Sequence, residues 1–377
     1  MTDACDRCLR RSYLLARLAP HIERTAVEAP GRRAPELLAL DDEALVGAVG
    51  GSRSDAILAA HGEADAGGLR RRVEVAGCWC VCRHASAYPD ALRDLGAEAP
   101  AALFGRGPLD VVHGLDSDTA VTIVGARRAS AYGLGVAERL TRMLGKAGVA
   151  VVSGMANGVD SRAHRGALDG GGKTVAVLGG GADVPYPPRQ SRLYERIQAQ
   201  GGAVVSELPP GTASFRWSFP ARNRLMAALS RITVVVEAAE RSGSLITATM
   251  ALELGRDVGA VPGPVNAWLS AGTNQLLADG AKVVRDAQDV LDHLLGTGRC
   301  NVRELGPEID LELREVLERV EGGDATCDAV ALAGGRPPQE VSSALARLEL
   351  VGYLTSDHTG RYTRTPLVAP APAAQLP

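Results

Sequence analysis

From residue 121 to residue 284 the chain alternates short apolar runs with helical ones, and few folds tolerate that alternation. The runs at 121–124, 149–152, 174–178, 203–206, 232–236, 258–261 and 281–284 have strand length and β-branched content. Helical patterns near 133–147, 160–169, 191–200, 221–229 and 245–255 separate them. Strand and helix in turn predict an α/β domain, a parallel sheet wrapped by helices. Its opening unit, Val121-Thr-Ile-Val-Gly-Ala-Arg-Arg, leads into a helix with Val136, Leu140, Met143, Leu144 and Ala147 on one face. A helix N-terminus beside Arg127 and Arg128, at the carboxyl end of a first strand, reads as an anion site. Phosphate is the first ligand to consider.

The 377 residues leave room for more than this domain. Residues 1–75 predict a small helical module, with Leu14, Leu15 and Leu18 as one stripe and Leu45, Val46 and Val49 as another. The charged, glycine-bearing run 63–72 reads as a linker or exposed loop, 76–118 as a connecting segment, and 119–298 as the main domain. Residues 308–366 predict three helices and a hairpin, a winged-helix-like domain, and the Pro- and Ala-rich 367–377 a disordered tail. No apolar run reaches membrane-spanning length, so a soluble, cytoplasmic protein without a membrane partner is expected.

Seven cysteines argue against a disulfide framework. Cys5-x-x-Cys8 with Cys82 and His84 could close a four-ligand zinc site; the alternative is reduced thiols filling a small core.

A net charge of −3 hides an asymmetry: residues 121–230 hold fourteen Arg or Lys against six Asp or Glu. That excess fits a cationic groove, or arginines scattered over a solvated surface. The loops that follow the strands supply the candidates. Gly125, Gly154, Gly158 and Gly179 permit close backbone approach, and Asp160 is placed to cap the helix behind it. His164, inside that helix, reads as a packed histidine rather than a base. Lys173 precedes the third strand. Arg222, Asn223 and Arg224 open a helix after Phe219-Pro, where the two guanidinium groups could fork onto phosphate. Ser242, Gly243 and Ser244 form a hydroxyl-rich loop at another helix N-terminus. No dinucleotide fingerprint, GxxxxGK[ST] loop or nucleophile elbow is present, so binding is favoured over catalysis and no cofactor is expected.

Taken together, Val124-Gly-Ala-Arg127, Ser153-Gly-Met-Ala-Asn-Gly-Val-Asp160, Phe219-Pro-Ala-Arg-Asn-Arg224, Ser242-Gly-Ser-Leu-Ile-Thr247, Val261-Pro-Gly263 and Gly272-Thr-Asn274 resemble the DNA-processing protein A family (DprA, also called Smf). The resemblance runs in family order through 121–295. It implies an extended Rossmann-like domain that binds single-stranded DNA, dimerises, and loads the RecA recombinase on incoming DNA during natural transformation. It also implies that Arg127 and Lys173 hold DNA, with Ala126 standing where the family usually has serine. Tyr132, Tyr186, Phe215, Trp217 and Phe219 are the candidate stacking platforms. Three rivals stand beside this reading. A phosphoribohydrolase-like enzyme would need a Pro-Gly-Gly-x-Gly-Thr loop where this chain has Arg241-Ser-Gly-Ser. A duplex-DNA regulator would read through the winged helix, and a plain protein adaptor is a third possibility.

Overall fold

The protein is described from a computed structural model covering residues 2–28, 34–115, 119–300, 306–365 and 367–370. The chain divides into two compact units, 1–300 and 301–377.

In the first unit ten strands form one sheet. They are β1 (Thr2–Asp3), β2 (Trp79–Cys82), β3 (Ala102–Arg106), β4 (Ala120–Val124), β5 (Ala150–Ser153), β6 (Thr174–Val177), β7 (Ala203–Ser206), β8 (Ile232–Val235), β9 (Asp257–Ala260) and β10 (Lys282–Val283). Their order is β1-β2-β3-β7-β6-β5-β4-β8-β9-β10. From β7 through β10 every neighbour is parallel, as the alternation predicts. Strands β4 to β9 are buried at nearly every position because helices cover both faces of the sheet. Strand order reverses between β4 and β8, whose residues pair from Val121↔Ile232 to Val124↔Val235. The carboxyl ends of those two strands therefore flank a crevice, the usual ligand position in open α/β sheets.

The expected connecting segment is part of this sheet. It supplies β2 and β3, which add antiparallel strands to the β7 edge. Trp79 and Val81 point into the main core, while Cys80 and Cys82 face a second core with Leu9, Val73 and Phe104. Cysteine in a period-two pattern hides a strand from composition-based reading. The run 63–72 is likewise no linker: a helix spans Ala66–Val75, because Asp65 accepts from the amides of Gly67 and Gly68 at 2.9 Å. The leucine stripes of the helices Asp6–Glu28 and Asp42–Val49 close around Trp217, whose indole N–H donates to the Ala19 carbonyl at 3.0 Å.

The second unit contains helices Leu311–Glu321, Cys327–Gly334 and Pro338–Leu350 and an antiparallel hairpin, Leu354–Ser356 with Tyr362–Arg364. Leu313, Val316, Leu345, Leu348 and Tyr353 form its core. Disorder was expected from 367 on, but 367–370 are tied in: Val368 accepts from the Gly306 amide at 3.0 Å and Pro370 from Arg314 at 2.6 Å. The remainder of that tail lies outside the described residues. No helix among the described residues is long and apolar enough to cross a membrane.

Candidate nucleic-acid interface

The crevice at the β4/β8 reversal is a groove of about 490 Å³, bordered by Arg127, Arg128, Phe219, Asn223, Ser244 and Trp268. Arg127 and Arg128 are exposed and form no ion pair among the described residues. The Arg127 guanidinium lies over the Phe219 ring, 5.4 Å from its centroid, and that ring is 5.2 Å from Tyr186. Tyr186 is 42 % exposed and Trp268 72 % exposed. Cations and open aromatic faces therefore share one rim, the combination that holds a phosphate backbone and its bases. Trp268 was absent from the sequence-derived platforms because it follows an unpatterned loop. Phe215 and Trp217, which were among them, pack against the N-terminal helices instead.

The groove floor is built by Arg222. This side chain is buried, and its Nη1 donates to the carbonyls of Gly154 (2.8 Å) and Val177, while its Nε donates to Asn223 Oδ1 at 3.1 Å. It clamps the loops after β5 and β6 together and does not fork onto a ligand as the sequence suggested. Burial draws its pKa down to about 10, with Asp160 opposing the shift. Any Cβ on Gly154 would land on this guanidinium. The loop then turns through Met155 at φ 56° and Gly158 at φ 82°, the left-handed region that only glycine enters without strain.

Asp160 is not the predicted N-cap. Gly158 holds that position, and Asp160, inside the first turn, accepts back from the Ala156 amide at 3.4 Å. Burial raises its pKa, and Arg222 counters. Gly125 and Gly179 lie against Val159 and Phe219, whereas Gly243 lines the groove and a side chain there would meet open space.

The helix N-terminus that was expected to bind an anion already holds one. Glu237, after β8, accepts from the Ser130 amide at 2.8 Å and the Ser130 hydroxyl at 2.6 Å, and Ser130 caps the helix Ala131–Lys146. Ser242 similarly caps the helix Gly243–Glu253, and its hydroxyl lies 2.7 Å from that of Ser244. Arg127 and Arg128 thus remain as exposed cations on the groove.

Two further candidates lie away from the groove. Arg224 is buried in a bidentate pair with Glu207 (2.6 and 3.0 Å) and donates to the Glu98 and Ala221 carbonyls, leaving it nothing for phosphate. Lys173 is exposed at the amino end of β6, its carbonyl bonded to the Val151 amide at 3.1 Å. Arg127 follows the carboxyl end of β4, so a strand length of about 13 Å or more separates the two cations along the sheet. His164 is fully buried with Nδ1 2.7 Å from Thr174 Oγ1, a packed residue as its small neighbours indicated.

Comparison with known proteins gives this geometry a family. The profile described as DNA recombination-mediator protein A matches residues 79–295, more than half of the chain. The chain belongs to that family. It is 44 % identical over 272 residues to a putative DNA processing protein DprA of Mycobacterium tuberculosis, covering 70 % of this chain and 68 % of that one. The crystal structure of DprA from Streptococcus pneumoniae superposes with a TM-score of 0.59 at 32 % identity, over 77 % of this chain and 98 % of that one. A DprA from Helicobacter pylori, described in terms of its single-stranded DNA binding mode, matches at TM-score 0.50 and 32 % identity, over 55 % of this chain and 92 % of that one.

Proposed function

We propose that this protein binds single-stranded DNA in the β4/β8 crevice, without sequence preference, and delivers it to a RecA recombinase while shielding incoming DNA. The observation that carries the reading is the pair of exposed guanidinium groups of Arg127 and Arg128 beside the Tyr186–Phe219 rings and Trp268. Guanidinium groups neutralise phosphates, and open rings accept unstacked bases of any identity. The single-stranded DNA binding described for the Helicobacter pylori relative supports it. Action as a cytoplasmic homodimer, and non-enzymatic mediation rather than turnover, belong to the same proposal. The C-terminal unit is proposed as a winged helix that contacts protein. Its third helix carries Glu340, Glu349 and Arg347, and Arg347 is already paired with Asp310 at 2.9 Å.

The test is fluorescence anisotropy of labelled oligo-dT with wild type, Arg127→Glu and Lys173→Glu across a salt series. Salt-sensitive binding lost in Arg127→Glu and kept in Lys173→Glu supports the crevice. Undiminished binding in Arg127→Glu moves the site elsewhere, and no binding by wild type removes the proposal.

A further inference from the structure

The four side chains Cys5, Cys8, Cys82 and His84 converge on one point far along the sheet from the crevice. Their ligand atoms all lie within 4.8 Å of one another. His84 Nδ1 faces three sulfurs, at 3.5 Å from Cys5, 3.4 Å from Cys8 and 4.0 Å from Cys82. A tetrahedral zinc ion, with bonds of roughly 2.3 Å to sulfur and 2.1 Å to nitrogen, holds such pairs about 3.6 Å apart.

Several independent elements produce this convergence. Strand β1 pairs in parallel with β2 in the register Thr2↔Cys80 and Asp3↔Val81, which carries the following residues alongside Cys82. Cys5 then precedes the helix Asp6–Glu28 and Cys8 lies one turn into it, so both sulfurs sit at the start of that helix. Arg70 fixes that entry by donating to the Ala4 carbonyl at 2.9 Å and to Asp6 at 2.6 Å. On the other side, Arg93 donates to the carbonyls of Arg83 and Ala85, which hold the turn bearing His84. The Cys5 amide points at Cys82 Sγ at 3.4 Å, the N–H···S contact that supports a ligating thiolate.

Packing of reduced thiols does not account for this arrangement. Cys8 and Cys82 are buried, but Cys5 and His84 are exposed, and an imidazole nitrogen aimed at three sulfurs is a poor apolar contact. Cys80 on β2, and Cys78 just before that strand, belong to the apolar core and stay outside the quartet.

We propose that Cys5, Cys8, Cys82 and His84 form a structural zinc site of the Cys₃His type. With four protein ligands the tetrahedron is closed, leaving no position for water or substrate, and three thiolates select zinc over hard cations. The ion joins residues 77 apart in sequence and fastens the N-terminal helix to the two-residue strand β1 and to β2 at the edge of the sheet.

The test is metal analysis of untagged full-length protein, prepared reduced and passed through EDTA-containing buffer, followed by cobalt substitution. One zinc per chain and a thiolate-to-cobalt charge-transfer band of tetrahedral type are expected. Cys82→Ala and His84→Ala should lose the zinc, Cys300→Ser should keep it, and His84→Cys should restore it. Wild type with neither zinc nor the cobalt band overturns the proposal, and the wild-type measurement stands even where a variant fails to fold. A full equivalent that persists in both Cys82→Ala and His84→Ala also overturns it.

Discussion

Glu237 engages Ser130 with both carboxylate oxygens, one on its amide at 2.8 Å and one on its hydroxyl at 2.6 Å, across 107 residues of sequence. The contact ties the end of β8 to the helix entered from β4 and fills the electropositive helix end with a protein carboxylate. Glu237→Ala removes the partner of the half-buried Ser130 amide and hydroxyl. A loss of about 1–2 kcal/mol in urea unfolding is expected. Unchanged stability would mean that the helix end is satisfied in another way.

Arg127 and Lys173 should behave differently. Arg127→Glu removes a phosphate partner and places a like charge beside DNA, so affinity at about 0.1 M salt should fall at least tenfold, with a shallower salt slope. Lys173→Glu lies beyond one Debye length, about 10 Å at that salt, and should change affinity by less than about twofold. Equal losses in both would require a path for DNA around the sheet edge.

Trp268 is 72 % exposed and borders the groove. Trp268→Ala should weaken oligo-dT binding by roughly 1–3 kcal/mol, the range for one stacked base. Its melting temperature should match wild type, because little buried surface is lost. Quenching of Trp268 fluorescence by DNA would locate the contact directly.

The Arg224–Glu207 pair is nearly inaccessible, with side chains 2 % and 8 % exposed. Arg224→Met leaves a buried carboxylate without its partner and should cost about 3–5 kcal/mol. Arg224→Met combined with Glu207→Leu should recover most of that loss, because the penalty lies in the unpaired charge. Denaturant midpoints of the two variants decide between this and a direct DNA role.

His164 is held neutral by burial and then by Arg222, which push its pKa from 6.5 down to about 3. Between those values the unfolded chain binds a proton that the folded protein refuses. His164 therefore costs nothing above pH 6.5 and lowers stability by about 1.4 kcal/mol per pH unit as pH falls toward 3. His164→Gln should flatten that part of the acid limb in urea titrations between about pH 7 and pH 4.5. An identical slope would place the acid sensitivity elsewhere.

The parallel sheet was legible because its signal is local: Val121 to Val124, Thr174 to Val177 and Ile232 to Val235 are short apolar runs bounded by glycine and helix. The same locality carried Arg127 and Arg128, whose position after the first strand follows from chain order alone. The chemistry of Arg222 and Arg224 did not follow, since sequence shows two adjacent-looking guanidinium groups and not which one meets Gly154 and which meets Glu207. Glu237 on Ser130 and Trp268 on the groove rim were equally hidden. Each depends on which strands become neighbours, and strand order is set by packing over the whole sheet. The sequence by itself determined the α/β architecture and the cationic loop after β4, because periodicity and turn chemistry act over a few residues. Tertiary structure alone decided which charges are neutralised inside the protein and which remain for a ligand, because burial and pairing join residues more than a hundred positions apart.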